Sequence, residues 1–339
     1  MTIRLTDQPP NAETPVPDLG RTTVPVARFY VRCNFPIPHG DADAWRLDVA
    51  GSLDRPRSWS MEELRGLPHV ERTITMECAG NGRTLMKPTP PGTPWGLGAV
   101  GFARFGGVRL AEVLAASGVR ASAVAIVCTG ADHGSVEPDG VIAYEFDLDI
   151  PTATADEPML AWVMDGEPLL PEHGFPLRLV VPGQYGMRSV KWLTRITAID
   201  RPFEGHFPRR YRYRGERGVP DGTPVGPMRV RSLVTKPSDG ERLRPGPIEV
   251  RGIAWSGHGS IASVHVQAGG SWMRARLDPQ TDEAAPVTWS LHWTPPAAGP
   301  HAIAVSAADA AGNRQPETPI WNEGGYGNNV VHRIAVTVE

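Results

Sequence analysis

A chain of 339 residues is too long for one ordinary hydrophobic core and suits two or three domains. Its formal net charge of -3, with 21% charged and 40% hydrophobic residues, is that of a globular protein and gives no support for nucleic acid as a partner. Three widely spaced cysteines, Cys33, Cys78 and Cys128, make no disulfide framework and no CxxC or CxxCH, which removes a covalent c-type haem and a thioredoxin-like pair.

Residues 1–27 contain Pro9, Pro10, Pro15 and Pro17 without periodicity and read as a poorly ordered N-terminal arm or surface strap. They hold neither an apolar signal core nor a twin arginine followed by one. The chain as given is therefore expected in the cytoplasm, and in the periplasm if a signal was trimmed. No run of about 18 apolar residues predicts a membrane span.

The first apolar segment, residues 28–38, is stopped by Pro36 and Pro38. Residues 45–53 read as a strand, and Ser60 caps a short helix with an acidic first turn, Glu62 and Glu63. The β-branched run Thr73, Ile74 and Thr75 predicts a strand that feeds Cys78 into the turn Ala79-Gly80-Asn81-Gly82. Amides of such a turn can face an anion, and Arg83 adds positive charge five residues beyond the sulfur. Spacing alone leaves Cys78 as a small buried hydrophobe.

Beyond a loop at 88–94 come a helix at 109–116, compact buried strands at 123–128 and 177–181, and a strand at 158–165 between them. Residues 28–203 are expected to form one mixed α+β domain, and 204–227 a charged linker. From 228 to 339 short alternating segments separated by turn residues, such as Ile248-Glu249-Val250-Arg251 and His301-Ala302-Ile303-Ala304-Val305, predict a β-sandwich.

Separated segments occur here in the order of the sulfite oxidase family of molybdenum enzymes, which the chain therefore resembles. Tyr30-Val31-Arg32-Cys33-Asn34-Phe35-Pro36-Ile37-Pro38 is similar to its Val-Arg-Asn-His-Leu-Pro-Val-Pro stretch, with Cys33 and Asn34 in place of the usual Asn-His pair. Cys78-Ala79-Gly80-Asn81 resembles its cysteine motif. The match continues through Trp95, Asp132, the stretch from His173 to Gly183, and Met187 to Leu193, and ends in a segment like the family's immunoglobulin-like dimerisation domain.

The resemblance implies a molybdopterin-binding catalytic domain followed by that immunoglobulin-like domain, with Cys78 as thiolate ligand to molybdenum. Tyr30, Val31, Arg32, Cys33, Asn34, Asp132, His173, Arg178, Ser189, Val190 and Lys191 would hold the cofactor. Arg32 would also meet substrate, Trp95 would wall its pocket, and Arg83 would favour the thiolate. A tyrosine near the metal is Tyr211 or Tyr213; spacing does not decide, and flanking arginines favour Tyr213. On the residues alone Arg178 reads equally well as a strand-edge charge, His173 as a core histidine and Asp132 as a turn cap.

The implied activity is oxidation of sulfite to sulfate, with electrons passed to a separate acceptor such as a cytochrome, or to oxygen. No His-Pro-Gly-Gly haem signature is present, so no haem is expected in this chain. Trp289-Ser290-Leu291-His292-Trp293 lacks the arginine that the family's sandwich sends to the substrate. Nitrate or sulfoxide reduction on the same scaffold, and a cofactor-free binding protein, are the alternatives. A homodimer through the sandwich is expected.

Overall fold

The computed structural model describes every residue, Met1–Glu339, and it departs first from expectation in the N-terminal arm. Ile3–Asp7 and Pro10–Glu13 pair antiparallel, and Val31–Arg32 joins the second of them to complete a three-stranded sheet. Pro10 stands at the first position of its strand, where its missing N–H costs no ladder bond. The arm is anchored further on: Thr14 donates through its amide to Gly98 O at 2.9 Å and through its hydroxyl to Val100 O at 3.0 Å. These long-range pairings, invisible in a proline-rich segment, order what composition describes as loose.

Two five-stranded sheets frame the first domain. In one, Met159–Met164 and Val100–Arg109 lie between Glu167–Pro168 and His69–Glu77, and Arg178–Val180 also pairs with Met159–Met164. In the other, Arg46–Gly51 and Leu193–Ile199 form a parallel pair within an otherwise antiparallel sheet that extends through Ala125–Val136 to Gly140–Asp149. The helix Met61–Arg65 starts on a full capping box, Ser60 with Glu63, as its sequence predicts. Leu110–Ser117 ends at Gly118, whose φ of 68° is the left-handed C-terminal stop that glycine supplies cheaply. No helix is long and apolar enough to cross a membrane.

The sandwich domain packs a four-stranded sheet, built on Arg231–Lys236, Ile248–Trp255 and Val287–Trp293, against a five-stranded one built on His332–Val338, Gly299–Asp309 and Ile261–Ala268. Their inward residues, among them Val250, Val264, Val266, Trp289 and Val305, form a core of their own. Trp289 sits fully inside because its indole N–H finds Ser232 Oγ at 2.9 Å.

The larger core crosses from one domain into the other. It takes in Leu233, Ile253, Trp255 and Tyr326 beside Phe102 and Met76, and the Phe102 and Trp255 rings meet edge-on at 5.6 Å. A fully buried aromatic of this kind is worth about 2–3 kcal/mol in area removed from water. Arg72 adds a two-pronged pair to Asp282, at 2.9 and 2.8 Å. The domains therefore meet as packed bodies, and the cysteine turn lies at their junction.

Candidate active site

The strand His69–Glu77 carries Cys78 beyond its last residue: Cys78 N donates to Ala99 O at 2.8 Å, which prolongs the pairing with Val100–Arg109 by one step. Asn81 N then closes the turn on Cys78 O at 2.9 Å, and Asn81 Oδ1 accepts from Ala99 N at 3.1 Å. Gly82 takes φ of 82°, and a Cβ there would meet Arg231 Nη2 at 2.8 Å, so both conformation and space require glycine. Cys78 is 9% exposed. Burial pushes its thiol up, while the charge of Arg32, the Gly80 amide and the charge of Arg83 pull the other way.

Cys78 opens onto a cavity. Of the residues expected from sequence to hold the cofactor, Tyr30, Arg32, Cys33, Asn34, Asp132, His173, Arg178, Ser189 and Lys191 all line it. Two do not. The Val190 side chain is fully buried in the core, and Val31 lies half-buried in its strand opposite Ala12, so each can serve the cavity only through its backbone. Tyr144, missed by sequence reading, also lines the wall and donates its hydroxyl to Met187 O at 2.7 Å.

The cavity is arranged for an anion. Arg178 is buried, donates from Nη1 to His173 O at 2.8 Å, and burial brings it down to about 10. Lys191 donates to Glu172 O at 2.7 Å and to Cys33 Sγ at 3.2 Å, and burial lowers it too. His173 is driven down to about 3 by burial and by the charges of Lys191 and Arg178, so the imidazole is neutral and can accept as well as donate. The one carboxyl in the wall besides the rim residue Glu172 is Asp132, which burial raises to about 6. Arg32, Arg178 and Lys191 thus outnumber their counter-charges.

Arg178 Nε and Asp132 Oδ1 are buried without a partner. A guest bearing phosphate and ring N–H groups would satisfy both, since unmet buried polar atoms are costly. No group of three or more His, Cys, Asp or Glu could hold a metal. A metal at Cys78 would therefore arrive with ligands of its own, and a soft sulfur-rich set suits a lone thiolate. The residues present fit a molybdenum pterin.

Cys78 also borders a second cavity, lined by Arg32, Arg83, Trp95, Arg210, Tyr211, Glu323 and Tyr326. This corrects the choice between the tyrosines. Tyr211 lines both cavities, whereas Tyr213 lines neither and lies under Arg229, whose guanidinium is 4.6 Å from its ring. The helix His206–Arg210 ends at Tyr211, where the chain turns the ring inward to within 5.2 Å of Tyr326. Flanking arginines say nothing of such a turn. Arg83 is held by Thr93 O at 2.7 Å and Gly324 O at 2.9 Å, so its charge is fixed at the wall. Arg210, which no sequence signal singled out, adds a third guanidinium, from the segment expected as linker.

Comparison with known proteins agrees with this geometry. A family model described as "Oxidoreductase molybdopterin binding domain" matches residues 34–207, and one described as "Mo-co oxidoreductase dimerisation domain" matches residues 224–339. The mitochondrial sulfite oxidase of Homo sapiens is 35% identical over 98% of this chain, which spans 65% of that protein's length. The NAD(P)H nitrate reductase of Hordeum vulgare is 32% identical over 99% of this chain and 42% of its own. The sulfane dehydrogenase SoxCD from Paracoccus pantotrophus superposes with a TM-score of 0.85 at 26% identity, covering 100% of this chain and 90% of that one. The chain belongs to the sulfite oxidase family of molybdopterin-dependent oxidoreductases and has the fold of that family.

Proposed function

We propose that the protein oxidises sulfite to sulfate: sulfite and water yield sulfate, two protons and two electrons. The observation that carries this reading is the second cavity, which Arg32, Arg83 and Arg210 line together with Tyr211 and Cys78. When bound, the molybdenum pterin supplies the oxygen transfer and the two-electron redox change. Cys78 as thiolate holds the metal, and Arg178, Lys191 and His173 hold the pterin and its phosphate. A small oxyanion is drawn in by the three guanidiniums and held by their planar N–H forks. The Tyr211 hydroxyl donates a hydrogen bond to the reacting oxygen atoms. Electrons leave singly to a separate acceptor, a cytochrome or oxygen, and two copies associate through the sandwich domain.

A second reading is reduction of nitrate. Two observations favour it: the likeness to the barley nitrate reductase and the absence of arginine from Val287–Trp293. Holoenzyme prepared in a host that makes the pterin decides between them. Under anaerobic conditions sulfite should reduce the molybdenum within one turnover, seen as bleaching of its visible absorption. Reoxidation of dye-reduced enzyme by nitrate, with no response to sulfite, would replace the first reading by the second.

A further inference from the structure

Glu77, immediately before Cys78, is 1% exposed and accepts three hydrogen bonds. Asn81 Nδ2 reaches its Oε1 at 2.9 Å, Arg231 Nη1 reaches the same oxygen at 2.8 Å, and Trp255 Nε1 reaches Oε2 at 2.9 Å. Asn81 belongs to the turn itself, but Arg231 and Trp255 come from the sandwich. Two more bonds cross the same junction: Asn328 Nδ2 donates to Gly82 O at 2.6 Å, and Gly327 N to Ala79 O at 2.8 Å. The residues just before and after Cys78 are thus held from the second domain.

The Arg231–Glu77 pair is an expensive device if stability were its purpose. Both side chains are withdrawn from water, and Arg231 Nε and Nη2 find no partner. Buried pairs of this kind often contribute no more than apolar residues of the same size. What the pair does supply is fixed geometry, because the carboxylate ties strand, turn and sandwich at one point. We infer that Arg231 is a positioning residue for Cys78, and that the sandwich domain acts in the active site by setting the sulfur's place, apart from any part in dimerisation. This rests on the reading of Cys78 as the molybdenum ligand.

The test compares wild type with Arg231→Lys, and with the paired variant Arg231→Met/Glu77→Gln, which leaves no buried unpaired charge and so keeps the fold testable. In cofactor-free protein, alkylation of Cys78 by iodoacetamide, followed by mass spectrometry, should be at least about tenfold faster in the paired variant and intermediate in Arg231→Lys; a tenfold change corresponds to about 1.4 kcal/mol. In molybdenum-loaded protein the sulfur-to-metal absorption band should shift, and kcat should fall at least as far with KM within about twofold. A folded paired variant with wild-type alkylation rate and wild-type band would overturn the inference. A wild-type holoprotein with no such band would instead overturn the reading of Cys78 beneath it.

Discussion

Tyr211 and Tyr213 differ by two positions and by everything that matters to their chemistry. The Tyr211 ring borders Cys78 and Arg32, while Tyr213 is enclosed by Arg229 and pushed up to about 12 by burial. Tyr211→Phe should therefore lower kcat/KM for sulfite about tenfold or more, the cost of one hydrogen bond made to a charged reacting group. Tyr213→Phe should leave it within about threefold, and steady-state kinetics on the two variants reads the contrast. For the cofactor, Lys191→Met removes one of three cavity cations, and we expect about tenfold or greater loss of pterin retention on gel filtration, with the fold intact by circular dichroism. Most of this site was legible in the sequence: Cys78, Arg178, Lys191 and Asp132 stand inside recognisable segments. The choice of Tyr211 over Tyr213, Arg210 and the Glu77 contacts were not, because each depends on how a distant element folds over the cysteine turn.

Among elements, the N-terminal hairpin is the one that composition misread. Asn11 is 3% exposed, and its Oδ1 accepts from Cys33 N at 3.0 Å and lies 3.4 Å from Arg32 Nη1. The hairpin thus braces the short strand that delivers Arg32 and Cys33 to the cofactor cavity. Asn11→Ala strands a buried N–H and should cost about 1–3 kcal/mol, measured by chemical denaturation. An unchanged denaturation midpoint would show that the hairpin is a mere strap. Strands with regular alternation, such as Ile248–Trp255 and His332–Val338, were readable from pattern alone. A two-residue strand such as Val31–Arg32 has no pattern to read, since pairing partners make it a strand.

Across the whole molecule the two domains share a core and a charge network, and one histidine ties that network to pH. His332 Nδ1 accepts from Val234 N at 3.0 Å, so it is held neutral; burial and the nearby charge of Arg231 bring it down to about 4 from 6.5. Between those values the unfolded chain binds the proton and the folded one does not. Stability from this group is full above pH 6.5 and falls as pH drops toward 4, by roughly 3 kcal/mol at most. Urea midpoints at pH 7 and pH 4.5 should converge in His332→Gln relative to wild type, and an equal drop in both would contradict the assignment. The two-domain order was legible from the change of texture near residue 228, but the packing of Trp255 and Arg231 against the cysteine turn was not, since contacts between domains leave no periodic trace. The central claim is that Cys78 joins a molybdenum pterin to this junction. It is met most directly by the visible spectrum of holoprotein beside Cys78→Ser, each scaled to molybdenum content. Wild type should show a sulfur-to-molybdenum band that is lost in the variant, whereas identical spectra per molybdenum would contradict the assignment of Cys78.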